Sequence, residues 1–161
     1  RSCSSAASDV YKRQGLDPPC PWDMLTCSSA AWGGNLDVLK WLRSQDPPCP
    51  WDEETCAGAA RRGHLEVLKW ARDQDPPCPW DASACSAAAL GGHLDVVKFL
   101  RQDPPCPWNG RTCSSAAKGG RLEILVWLRN HGCPWSAKDC ALKAEKAGHD
   151  HVVRWIKCNA M

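Results

Sequence analysis

No apolar run in this chain approaches the roughly 20 residues that a membrane-spanning helix needs, so no membrane-spanning segment is expected. Charge of one sign is also missing. Lys plus Arg number 20 against 18 Asp plus Glu, a net +2 with both signs interspersed. That leaves no electrostatic footprint for DNA or RNA, and no nucleic-acid partner is expected. No Gly-rich phosphate loop, nucleophile elbow or paired-acid arrangement occurs, and few residues are unique enough to build a single catalytic site. The expectation is a non-catalytic chain with no cofactor. Although there are 12 cysteines, no Cys-x-x-Cys occurs, so the close pairing typical of zinc ligands is absent.

What is present is repetition. Cys-Pro-Trp recurs at Cys20, Cys49, Cys78, Cys106 and Cys133, with a period of 29, 29, 28 and then 27 residues. A second cysteine follows each first one at a fixed distance: Cys27, Cys56, Cys85, Cys113 and Cys140. A period of this size marks a solenoid or array, in which one unit cannot bury its apolar face alone. The units run about 20–48, 49–77, 78–105, 106–132 and 133–161.

Within a unit, the Pro-rich spacer blocks helix continuation and favours an extended path. The residue after Trp is Asp23, Asp52, Asp81, Asn109 or Ser136. All five are types whose side-chain oxygen can accept an orphan backbone N–H at a helix start. With Asp23 as cap, Trp22 and Cys27 take the spacing of a hydrophobic staple. The first helix is expected over about Met24 to Trp32. Its small residues Ala30-Ala31, Ala59-Ala60, Ala88-Ala89 and Ala116-Ala117 allow close helix approach. Glycines then end it, at Gly33-Gly34, Gly63, Gly91-Gly92 and Gly119-Gly120.

The second helix is expected from near Asn35, with a broad apolar face: Leu36, Val38, Leu39, Trp41 and Leu42 in the first copy. Asp37, Lys40 and Arg43, with Glu66, Lys69 and Arg72 and with Asp95, Lys98 and Arg101, read as a solvated outer stripe of weak acid–base pairs. Length differences all fall after this helix. Five residues separate Arg43 from Cys49 and Arg72 from Cys78, four separate Arg101 from Cys106, and three separate Arg129 from Cys133. Surface connections behave this way.

Cysteines and tryptophans admit more than one reading. A zinc site would use Cys20 with Cys27 and a neighbour, but their gap is poor. A disulfide within a unit would join, for example, Cys49 to Cys56. Free buried thiols acting as small hydrophobes are favoured over both. Equivalent cysteines of adjacent units should lie too far apart for a bond. His64 and His93 suggest a turn or capping role. Most of the tryptophans, including Trp41, Trp51 and Trp70, read as core, because Phe99 replaces one of them. Trp32 is the exception: Arg61, Leu90 and Lys118 stand in its place in other copies, which makes it a candidate contact.

Ser4 to Gln14 resembles the conceptual translation of a sequencing adapter, so residues 1–14 are excluded from the fold and the array is expected over 15–161. On that reading the natural N-terminus is missing. The lone Tyr, Tyr11, falls in this segment. The last copy carries an insertion and a more polar second helix, as a terminal cap would.

Gly63-His64-Leu65-Glu66-Val67-Leu68-Lys69 resembles the opening of the second helix of the ankyrin repeat. The wider pattern, Cys-Pro-Trp-Asp with Thr-Cys, Ala-Ala, Gly-His-Leu and Trp-Leu, is similar to short ankyrin-like repeats of protist and giant-virus arrays. The period falls short of the usual 33 or so residues, and Thr-Cys replaces the Thr-Pro-Leu-His signature. Extended loops are therefore expected in place of β-hairpin fingers. The resemblance implies an all-α fold, an α-solenoid of stacked helix-turn-helix ankyrin-like repeats. It implies a protein–protein interaction scaffold, monomeric and intracellular, cytoplasmic in the simplest case, with an unidentified protein partner. By that likeness, the binding face uses positions that vary between copies: Met24, Leu25, Trp32, Glu53, Glu54, Arg61, Arg62, Arg111 and Lys118. Two alternatives are a regulatory or targeting segment of a larger protein and a cysteine-based metal or redox module.

Overall fold

A computed structural model describes residues 23–102 and 104–159. The expectations for Ser4–Gln14, Cys20 and Trp22 lie outside these residues. Among the described residues all regular structure is helical, with ten helices and no strand. They form five consecutive pairs: α1 (Met24–Trp32) and α2 (Leu36–Arg43), α3 (Glu53–Arg62) and α4 (Leu65–Arg72), α5 (Ala82–Gly91) and α6 (Leu94–Leu100), α7 (Gly110–Lys118) and α8 (Leu122–Asn130), α9 (Ala137–Lys146) and α10 (Asp150–Asn159).

Each pair starts where the cap residues require. Asp23 accepts from the Thr26 N–H, Asp52 from Glu54, Asp81 from Ser83, Asn109 from Arg111 and Ser136 from Asp139. Thr55 and Thr112 complete capping boxes with Asp52 and Asn109, and both threonines are buried. Each cap satisfies backbone donors that the helix itself leaves unpaired.

The first helices end in one recurring way. The N–H of Asn35 bonds to the Ala30 carbonyl at 3.0 Å, His64 to Ala59 at 2.9 Å and Arg121 to Ala116 at 2.9 Å. Gly34 and Gly63 adopt φ of 70° and 77° to make this possible. These are Schellman closures, in which a left-handed residue lets the chain fold back on the last turn. The Ala-Ala pairs therefore serve twice. Their carbonyls close the helix, and their side chains are almost wholly buried between neighbours.

First helices pack serially: α1 on α3, α3 on α5, α5 on α7 and α7 on α9. Each second helix packs on its own first helix. The buried residues join into one core cluster that runs through all five pairs, from Cys27 to Ile156. Leu39, Leu68, Val97, Leu125 and Val152 fill it from the second helices. No helix among the described residues is long and apolar enough to cross a membrane.

Loop length varies, yet the next unit is held at one point. The N–H of Cys49 bonds to the Leu42 carbonyl at 3.0 Å, Cys78 to Ala71 at 2.9 Å, Cys106 to Leu100 at 2.7 Å and Cys133 to Leu128 at 3.0 Å. The last turn of each second helix thus fixes where the following Cys-Pro-Trp begins.

Candidate interaction surface

The arginine that ends the polar stripe is not a free surface charge. Arg43 donates through Nη1 to the Cys49 carbonyl at 2.5 Å, and Arg72 to the Cys78 carbonyl at 2.6 Å. Arg101 makes the same bond to Cys106. The guanidinium carbon lies 4.1 Å from the Trp51 ring centre for Arg43 and 3.9 Å from Trp80 for Arg72. It lies 3.9 Å from Trp108 for Arg101 and 4.0 Å from Trp135 for Arg129. A planar cation suits both roles at once, hydrogen bonding in its plane and stacking on its face. The expected outer stripe keeps its solvated character at Glu66 and Lys69, whose ion pair is 2.8 Å and largely exposed. The Arg position departs from that expectation because the Trp of the next unit offers its face.

The same tryptophans also meet the aromatic of their own second helix. Trp51 and Trp70 pack edge-on with ring centres 6.0 Å apart, and Trp80 meets Phe99 at 6.3 Å. Each ring thus has an arginine over its face and an aromatic edge-on beside it. Trp41 departs from the core reading, with 52% of its surface exposed.

His64 and His93 act across units. His64 Nε2 lies 3.0 Å from the Trp32 carbonyl. Its ring also covers Gly34, where an added Cβ would sit 2.5 Å from the imidazole. His93 covers Gly63 in the same way, and Arg121 and His149 cover Gly92 and Gly120. The residue after each Gly thus seals the helix end of the preceding unit.

The cysteines also pair across units. Cys27 Sγ is 3.0 Å from Cys49 Sγ, and Cys49 Sγ is 3.6 Å from the Asp23 carbonyl. The later units repeat the placement: Cys78 Sγ is 3.5 Å from the Asp52 carbonyl, Cys106 Sγ 3.1 Å from the Asp81 carbonyl and Cys133 Sγ 3.7 Å from the Asn109 carbonyl, and Cys56 Sγ lies 4.0 Å from the Cys78 carbonyl. Burial pushes Cys27 well above the ordinary thiol range, with the Cys49 hydrogen bond adding to it. In Cys78, Cys85 and Cys113 the partner thiol is the larger cause and burial the second. Cys133 is lowered, chiefly by the hydrogen bond from Cys113. No cluster of three or more His, Cys, Asp or Glu side chains suited to a metal ion occurs among the described residues.

Within this frame, the positions that vary between copies lie at the surface. Leu25 is 70% exposed and Trp32 is 41% exposed, and Met24 is half exposed. Glu53, Glu54, Arg61, Arg62, Arg111 and Lys118 are all exposed. The structure brings several together. A groove of about 560 Å³ runs between Leu25, Trp32, Glu54 and Arg61 over a floor that includes Ala57 and Gly58. Trp32, Arg61 and Arg62 bound a second concavity of about 330 Å³ with Leu90. Arg61 and Arg111 line a third of about 390 Å³. Met24, Glu53 and Lys118 line none of the three. At the centre, the guanidinium carbon of Arg62 is 4.7 Å from the Trp32 ring centre and that of Arg61 is 5.9 Å away.

Ser28 and Ser29, missed in the sequence, also line the first groove. They occur in α1 beside Ala30-Ala31, and their hydroxyls give the groove hydrogen-bonding capacity. The Arg–Trp contact and the cross-unit thiol pair had a signal too. Arginine precedes every later Cys-Pro-Trp despite the drift in loop length. No protein-family model matches the chain, and no curated protein matches it significantly.

Proposed function

We propose that the chain is a non-catalytic protein–protein interaction scaffold, an α-solenoid of five ankyrin-like helix pairs that presents a fixed frame with a variable face. The observation that carries this reading is the convergence of three grooves on Arg61, two of them shared with Trp32, on the side built from first helices. Binding hot spots favour such an arrangement, a Trp and an Arg at the centre of a concave apolar site. The repeated caps, Schellman closures and cross-unit contacts support a rigid frame, which lowers the ordering cost of binding. The Gly-His-Leu-Glu register and serial packing of first helices support the ankyrin-like reading.

The partner suited to this face carries an apolar anchor for the Leu25–Trp32 groove, flanked by acidic groups for Arg61, Arg62 and Arg111. Lys118 extends the cationic character, while Glu53 and Glu54 set a boundary at the other end of α3. The module works as a monomer in the cytoplasm. Affinity capture tests this, comparing the chain with a variant carrying Glu53→Ala, Arg61→Ala and Arg62→Ala. Proteins recovered by the parent should be lost from the variant, with unchanged helical content by circular dichroism. Equal recovery removes the proposed surface.

A further inference from the structure

We propose that the four cross-unit cysteine pairs, Cys27–Cys49, Cys56–Cys78, Cys85–Cys106 and Cys113–Cys133, are disulfide-forming sites that cross-link neighbouring helix pairs. The inference does not rest on the interaction reading.

Geometry carries it. At each of four interfaces the first cysteine of one unit places its Sγ on the cap carbonyl of the preceding first helix, the helix that carries the second cysteine, and every one of these thiols is buried. In the first pair the sulfurs are 3.0 Å apart, against about 2.05 Å in a disulfide. The bond therefore needs a small approach of two side chains and no exchange of partners. The backbone already holds both ends: the cap of α1 and the Cys49 N–H bond to Leu42 fix the two chain segments. Packing alone asks for small apolar side chains and would be met by Ala or Val. It does not require thiols to face each other at every interface.

The oxidant is a low-molecular-weight disulfide. One cysteine, as thiolate, attacks a sulfur of that reagent, forming a mixed disulfide and expelling a thiolate. The partner cysteine then attacks the protein sulfur of the mixed disulfide and expels the second thiolate. In sum the two cysteines lose two protons and two electrons, and the reagent becomes two thiols. All four pairs are sealed, and burial slows their reaction in the folded chain. They close during folding or when a unit opens. Once closed, each bond ties a first helix to the loop of the following unit and shortens the freedom of the unfolded chain.

The full chain is refolded from denaturant in glutathione disulfide, and in parallel in reduced glutathione. Free thiols are then blocked under denaturing conditions, and peptides are mapped by mass spectrometry. The expected result is the four linkages named above, each with loss of two hydrogens, and a Tm at least about 5 °C above that of the reduced chain. Cys49→Ala should remove the Cys27–Cys49 linkage alone and leave the other three. Linkages within a unit such as Cys49–Cys56, a scatter of pairings, or thiols that stay free after oxidative refolding would each overturn the proposal. If Cys49→Ala does not fold, the map of the parent chain still decides between these outcomes.

Discussion

The guanidinium carbon of Arg72 sits 3.9 Å from the centre of the Trp80 ring, and the two residues belong to successive units. The same arginine donates to the Cys78 carbonyl at 2.6 Å. One side chain thereby fixes both the backbone and the aromatic of the next Cys-Pro-Trp. Arg72→Ala is expected to cost about 2–3 kcal/mol, because it removes a charge-assisted hydrogen bond and a desolvated cation–π interaction together. Arg72→Lys should recover little, since an ammonium cannot stack and donate in the same plane. Lys69→Ala, on the same helix in an exposed ion pair, should change stability by less than about 0.5 kcal/mol. Urea denaturation of the three variants measures the differences.

Asp52 caps α3 and shares a capping box with buried Thr55. Asp52→Ala should destabilise by about 1 kcal/mol, whereas Asp52→Asn, which keeps the acceptor, should stay near the parent value. Matched chemical melts of the two variants separate the cap from any effect of charge.

At Gly63 the helix end has φ of 77°, and an added Cβ would lie 2.5 Å from His93 Nδ1. Gly63→Ala should cost about 1–2 kcal/mol for the left-handed backbone, and more for the collision. A double-mutant cycle with His93→Ala distinguishes the parts. The second substitution should return the collision energy and leave the backbone cost in place.

The thiols also make stability depend on pH. Folding raises Cys27, Cys78, Cys85 and Cys113, and burial raises Cys140 to about 11. An unfolded thiol titrates near about 8.5. Above that pH the unfolded chain loses protons that the folded chain keeps, so stability falls as pH rises. Cys133, lowered in the fold, opposes this as a single group. Under reducing conditions the urea midpoint should be level to about pH 8.5 and decline toward pH 11. A midpoint that rises over that interval contradicts the burial argument.

Much of the local structure was readable from residue types. Asp, Asn or Ser after each Trp predicted the helix starts, and the run Met24–Trp32 is the first helix observed. The Ala pairs and following glycines predicted close packing and termination, because those roles depend on small size and backbone freedom. What sequence reading missed lies between units. In the linear pattern Arg72 is one more surface base, and only packing sets it over the Trp of the next unit. Cys56 has Cys49 as its sequence neighbour within the unit, yet its partner is Cys78 in the next. Trp41 shares its position with half-buried Trp70 and Trp127, yet 52% of its surface is exposed. A linear pattern displays what recurs, but it does not display which copy supplies the neighbour. For the interaction face, Trp32 stood out because its aligned positions lack an aromatic. Its joining to Arg61 and Arg62 of the next unit required the packing of α1 on α3.

The most direct test of the interaction surface places a photo-crosslinking amino acid at position 32 in one version and at position 69 in another. Both sites are exposed, the first beside the Arg61–Arg62 grooves and the second on α4. Partner adducts are expected from position 32 and none from position 69. Adducts from position 69 alone, or equal yields from both, would contradict an interaction face centred on Trp32.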